Sequence, residues 1–325
     1  MRLNPNGDST VFPKRAQLPV VAGTPEGSAW FWGGSDELGR LNLLTPQRIA
    51  KATQENVKTG DVVSLNLPLD VPSPPFFGRK PFHHEIKSIG KGAFDDETST
   101  NTQSNPKSGY HYNGILSDEI LKDEDLVDED RPEPSLRLGI DAWARKGIVG
   151  RGVLLDIYTW SRENNKPYDP FTTHNIAASD LLACAQSQNI TFETGDILLI
   201  RTGWLAAYHS LTQAEKEDRA KLDVMQHLYA GLEASESMKD FLHDNYFAAA
   251  ATDNANFEAW PPHSLEDSLH ASMLPLWGMP IGELWDFEAL GEKCREVGRW
   301  TFLLTSSPGM VPGGVASSPN ALAMF

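Results

Sequence analysis

Four short runs, at residues 152–158, 196–202, 246–252 and 300–306, are almost unbroken in apolar side chains, and they constrain the fold more than any other feature. A strand with one wet face alternates apolar and polar residues; a short run without alternation belongs to a strand covered on both faces. Helical patterns at 179–187, 229–243, 264–274 and 286–297 are interspersed with these runs and supply the cover. Thr45 before Pro46 reads as an N-cap followed by proline in the first turn, opening a helix to about Lys58 that Gly60 stops, and residues 61–67 read as a further strand. The expected architecture is mixed α/β, a central sheet or barrel covered by helices. No fixed-period repeat and no Gly/Ser-rich linker divides the chain. Residues 31–325 are therefore expected to form a single domain, with the Pro- and Gly-rich residues 1–30 running over it as an N-terminal arm.

Charge narrows the range of partners. The formal net charge of −16 makes the averaged surface repel phosphate backbones and anionic lipid headgroups, so the expected partner is a small molecule and neither nucleic acid nor membrane. Much of that charge crowds into residues 118–133, which read as a solvated loop. The two cysteines, Cys184 and Cys294, each fall in a helical pattern without a neighbouring cysteine, which indicates neither a disulfide framework nor a structural zinc. The first twenty residues lack a basic start followed by an apolar stretch, and no run approaches the length of a membrane span, so a cytoplasmic location is expected.

Reactive groups are sought at strand ends, where loops carry function on a fixed scaffold. Arg201, Thr202, Gly203 and Trp204 follow the run that begins at Asp196, and Asp253 follows the run that ends at Thr252. Ser264 and Asp267 have the spacing of a capping box that opens a helix carrying His270, and Glu283 follows thirteen residues later. An imidazole from a helix and a carboxylate from the next turn can converge on one cation or one substrate proton. His263 lies two helical turns before His270, too far to share a metal with it along one helix, and reads as a residue near the cap. His83 and His84 alternate sides of an extended segment, and His174, His209, His227 and His243 lack ligand spacing and are expected at the surface or at caps. Phe76 and Phe77 on a proline-rich loop at 72–78, with Trp204, Trp277 and Trp285, are candidates to line an apolar pocket.

Taken in order, the motifs DELGRLNLLTP at 36–46, PPFFGRKPF at 74–82, NTQS at 101–104, GDILLIRTG at 195–203, FEAWPP at 257–262, GMPIGE at 278–283 and PGGVASSPN at 312–320 resemble the fungal and bacterial branch of the putative cyclase family, the metal-dependent hydrolases similar to kynurenine formamidase. The resemblance implies a swivelling β/β/α-type fold with a small central barrel, a homo-oligomer, and hydrolysis of an amide or ester with a divalent metal, zinc or manganese. It implies His270 and Glu283 as the later two ligands and Asp253 as a supporting aspartate; Gln103, Asp253, Arg201, Phe76, Phe77, Trp204 and Trp285 are the candidates to contact the substrate. The first ligand segment departs from the family pattern. Where a Trp-Asp pair and a histidine are expected, this chain has Asn105 to Gly109, then Tyr110, His111, Tyr112, Asn113 and Gly114. One alignment deletes the metal segment and another keeps His111 as its histidine; neither restores the aspartate.

Three functional readings follow. The first is hydrolysis of a small amide, ester or lactone by a weakly held metal at His111, His270 and Glu283. The second is a metal-free cyclase, isomerase or lyase of secondary metabolism, with His270 or His111 as base and Glu283 as acid. The third is a non-catalytic descendant that binds a metabolite or a partner subunit.

Overall fold

The computed structural model describes residues 3, 9, 11–90, 93–99, 110–116 and 137–325, with side chains for all of these except 86–99. In chain order its strands are β1 (Val62–Ser64), β2 (His83–Gly90), β3 (Ala93–Ser99), β4 (Ile148–Leu155), β5 (Asn175–Ile176), β6 (Ile197–Ile200), β7 (Gly231–Leu232), β8 (Ala249–Thr252), β9 (Ile281–Gly282), β10 (Thr301–Ser306) and β11 (Ala321–Met324). Seven of them form one curled sheet in the order β1-β11-β10-β4-β6-β8-β9. The half built from β4, β6, β8 and β9 is parallel, in register Val153↔Leu198 and Leu198↔Ala250, and the remaining pairings are antiparallel. β2 and β3 form a separate hairpin, and β5 pairs in parallel with β7.

Three of the four uninterrupted runs are the buried strands of the parallel half: every residue of β6 and β8 is buried, as are residues 152–155 of β4; the fourth, 300–306, is β10, antiparallel to both neighbours and only partly buried at Thr301 and Thr305. Leu154, Leu198 and Leu199 are fully enclosed, each contributing about 1.5–3 kcal/mol by leaving water. The helices Ala178–Ser187, Glu236–Asp244 and Glu288–Val297 turn apolar faces to the core, burying Leu181 and Cys184, Phe241 and Leu242, and Leu290 and Cys294. The Thr45 cap and Pro46 open the helix Pro46–Asn56 as expected, with the Thr45 hydroxyl accepting from the Arg48 N–H.

Local competition shortened other elements. The run at 152–158 ends at Leu155, because Asp156 accepts from the Thr159 N–H at 3.1 Å and caps the helix Ile157–Glu163. The helix expected at 229–243 begins only at Glu236, since Tyr229 and Leu232 are claimed by β-bridges to Trp260 and Glu258. The helix expected at 264–274 is Leu269–Met273: Ser264 accepts from the Asp267 N–H, but the operative cap is Ser268, which accepts from Ala271. His227 and His243, expected at the surface or at caps, are 1% and 0% exposed; their rings pack on Tyr229 and Trp277, His243 in the last turn of its helix.

The described part of the N-terminal arm lies against the helix Glu236–Asp244, where the Arg15 guanidinium pairs with Glu236 and Asp240. Residues 28–32 are buried in the core. Among the described residues no helix is long and apolar enough to cross a membrane. The acidic run at 118–133 lies outside the described residues, as does Gln103.

Candidate active site

A cavity of about 1090 Å³ opens beyond the carboxyl ends of β8 and β9, the place where open parallel sheets hold ligands because strand-end loops converge there. Glu258, His270 and Glu283 line it together. The His270 Nδ1 is 2.6 Å from Glu258 Oε2, and its Nε2 is 3.4 Å from Glu283 Oε1. One imidazole therefore stands between two carboxylates.

Each member is positioned by backbone. Glu258 sits on a parallel bridge to Leu232, where Leu232 N–H donates to the Phe257 carbonyl and Ala259 N–H to the Leu232 carbonyl. The neighbouring position must be glycine: a Cβ on Gly231 would lie 2.4 Å from the Glu258 carbonyl carbon. His270 stands in the first turn of the helix Leu269–Met273. Glu283 leaves β9, whose register with β8 is extended by Trp285 N–H donating to the Thr252 carbonyl. Its Oε1 accepts from the Phe257 N–H at 2.7 Å. The same short segment, Phe257 and Glu258, thus fixes both carboxylates.

Electrostatics decides the protonation of the ring. Burial opposes charge on His270, but the charge and hydrogen bond of Glu258, followed by those of Glu283, outweigh it and raise its pKa well above the ordinary histidine value. Burial likewise works against the Glu258 carboxylate, and the adjacent imidazolium overcomes it, holding its pKa below the usual range. At neutral pH the site is an imidazolium whose Nδ1–H is held by Glu258, with its Nε2–H aimed toward Glu283 and the cavity.

His270 and Glu283, the expected pair, are together. His111 is not brought to them: it does not line the cavity, and it is 8% exposed with no hydrogen-bond partner at Nε2. Its neighbours anchor the segment elsewhere, the Tyr112 hydroxyl donating to Asp36 at 2.8 Å and Asn113 Nδ2 to the Gly33 carbonyl at 2.7 Å. Among the described residues no group of three or more His, Cys, Asp or Glu side chains is arranged to hold a metal ion. Residues 101–109 contain none of these four residue types. His270 and Glu283 alone fall short of the three protein ligands of a catalytic zinc. The donor set of the described residues does not fit the metal that the resemblance implied.

Of the residues expected around the substrate, Phe76, Phe77 and Trp285 line the cavity. Arg201, Asp253 and Trp204 do not, because other partners hold them. Arg201 makes a two-pronged pair with Glu288 at 2.8 and 2.7 Å and donates to Asp156 at 2.9 Å. Asp253 accepts from the Thr202 N–H and hydroxyl and from the Gly203 N–H, stitching the end of β8 to that of β6; burial pushes its carboxyl up to about 6 against these bonds. Trp204 is fully buried and stacked on Tyr208, and Trp277 packs on His243. Glu258 is the functional residue that the sequence reading did not single out. Its signal was there: a lone carboxylate in the otherwise apolar Phe257–Trp260 stretch, a residue type seldom buried unless paired.

Comparison with known proteins gives a consistent placement. The family described as Putative cyclase matches residues 81–259, more than half of the chain. That match includes Glu258 and ends before His270 and Glu283. A crystal structure described as a novel cyclase superposes with a TM-score of 0.78 at 27% identity, covering 92% of this chain and 99% of that one. Isatin hydrolase A from Ralstonia solanacearum superposes with a TM-score of 0.51 at 17% identity, over 86% of this chain and 95% of that one, a likeness of fold. No curated protein matches the sequence. On the family match and the shared fold, the chain belongs to the cyclase family.

Proposed function

We propose that this chain is a metal-independent acid–base enzyme that hydrolyses an ester, lactone or amide bond of a small metabolite. The observation that carries the reading is the imidazole of His270 held between Glu258 and Glu283 at the wall of a ligand-sized cavity. The isatin hydrolase neighbour supports the reaction class only by fold, and the family membership supports an enzyme.

The chemistry closes on itself. Glu283, anchored by the Phe257 N–H, takes a proton from water as its oxygen bonds to the substrate carbonyl carbon. The His270 Nε2–H is given to the leaving oxygen or nitrogen as the acyl bond breaks. The proton left on Glu283 then passes to Nε2 across a gap that is 3.4 Å in the resting site, restoring both groups. Glu258 takes no proton; it orients the ring and stabilises its charge, as the buried carboxylate does in a catalytic triad. An enzyme that uses the same pair for ring closure or isomerisation would need the same two groups.

Hydrolysis of p-nitrophenyl acetate and of a simple lactone by the full chain, before and after exhaustive chelation, tests the reading. Turnover that survives chelation and is lost in both His270→Ala and Glu283→Gln supports it. Activity that appears only on adding zinc or manganese, or that persists in both variants, overturns it.

A further inference from the structure

The cavity is larger than attack on a small carbonyl requires, and its lining changes character with depth. Its volume of about 1090 Å³ is at the top of the range for sites that enclose drug-sized ligands. The reacting groups lie deep, the His270 and Glu283 side chains being 16% and 25% exposed, on a Glu258 that is 2% exposed. Leu69, Val224 and Leu265 also line the cavity, yet they are 48%, 45% and 61% exposed, which places them at its mouth. They come from three separate segments, so no single loop's composition accounts for an apolar rim. Phe77 and Trp260 form the wall between, with ring centroids 5.9 Å apart and edge to face. Trp260 Nε1 donates to the Val224 carbonyl at 2.8 Å, which ties the rim to that wall. Exposed apolar side chains that converge on one opening mark a ligand path, because water alone would not favour gathering them there.

Resting on the proposed acyl hydrolysis, we infer that the substrate carries an extended, uncharged apolar chain of several carbons, which runs from the carbonyl at His270 past Phe77 and Trp260 and leaves between Leu69, Val224 and Leu265. Arg79 and Lys80 belong to the same lining, so the competing ligand chemistry is a chain ending in a carboxylate.

The test pairs turnover with binding. Alkyl methyl ketones from four to twelve carbons, which cannot be hydrolysed, are titrated against the full chain and followed by tryptophan fluorescence, since Trp260 and Trp285 line the cavity. p-Nitrophenyl acyl esters of two to ten carbons are assayed in parallel, below their micelle concentrations. Ketone affinity should rise roughly fourfold for each added methylene over the middle of the series, with kcat/KM following it. Leu265→Asp and Val224→Asp should flatten that slope. Leu182→Asp, which alters a leucine that is 51% exposed and does not line the cavity, should keep it. A flat ketone series in the wild-type chain, a slope unchanged in both rim variants, or tighter binding of keto acids with a terminal carboxylate overturns the inference. If ketones bind with the expected slope while no ester is turned over, the proposed reaction fails and the apolar chain stands.

Discussion

Replacing Glu258 by Gln keeps the size of the side chain and removes its charge, so the effect isolates what the carboxylate does for His270. The bond it loses is 2.6 Å long and made by a carboxylate that is 2% exposed. Breaking such a buried pair costs about 3–5 kcal/mol. Here His270 is 16% exposed and keeps Glu283 within 3.4 Å, so we expect less than that range, about 2–3 kcal/mol. The pH dependence carries the signature. The His270 pKa is raised in the folded state, so its contribution is complete below the unfolded value of about 6.5 and is lost as pH rises through the folded value. Glu258 is depressed, so its contribution is present above about 4.3 and is lost as pH falls through the folded value. The wild-type advantage should be greatest between about pH 4.5 and 6.5 and shrink above it. Urea unfolding of both proteins at pH 5.5 and across the alkaline range measures this directly. Equal stability at pH 5.5, or a difference that does not change with pH, would refute the argument that the pair is an imidazolium–carboxylate.

Glu283→Gln should lower kcat by about 10²–10⁴-fold, the span of acid–base catalysis, while leaving the far-ultraviolet circular dichroism and melting curve near wild type, since Glu283 is 25% exposed at the cavity. In the wild-type chain kcat/KM should persist above neutral pH and fall only as the elevated His270 pKa is passed; in Glu258→Gln that alkaline limb should move toward pH 6.5, which a pH–rate profile records. Arg201→Met should destabilise the fold by about 3 kcal/mol or more, because it leaves Glu288 without its two-pronged partner and removes one of the two arginines paired with the buried Asp156; KM should change little, which separates a structural arginine from a substrate-binding one. Gly39→Ala should be among the most damaging small substitutions, as its Cβ would lie 2.1 Å from the Gly278 carbonyl oxygen at a φ of +53°; thermal denaturation should show a loss of at least about 1–3 kcal/mol.

The course of the strands could be read along the chain because burial on two faces demands an unbroken apolar run, and 197–200 and 249–252 carry that demand locally. Element ends were less legible. At Asp156 a side-chain cap on Thr159, three residues on, competes with strand extension; at Tyr229 a bridge to Trp260, a partner distant in sequence, competes with a helix. The site divides in the same way. His270 and Glu283 could be paired from their order and motif, and the want of His, Cys, Asp or Glu in 101–109 is a property of composition. That Glu258 is the third member, that His111 stands apart, and that Arg201 and Asp253 are held by Glu288 and Thr202 were settled only in three dimensions. Periodicity reports which face of an element is dry, since that is a local property. A carboxylate's partner is chosen by whichever opposite charge or donor the folded chain brings within about 3 Å in low dielectric, and no spacing along the sequence encodes that meeting.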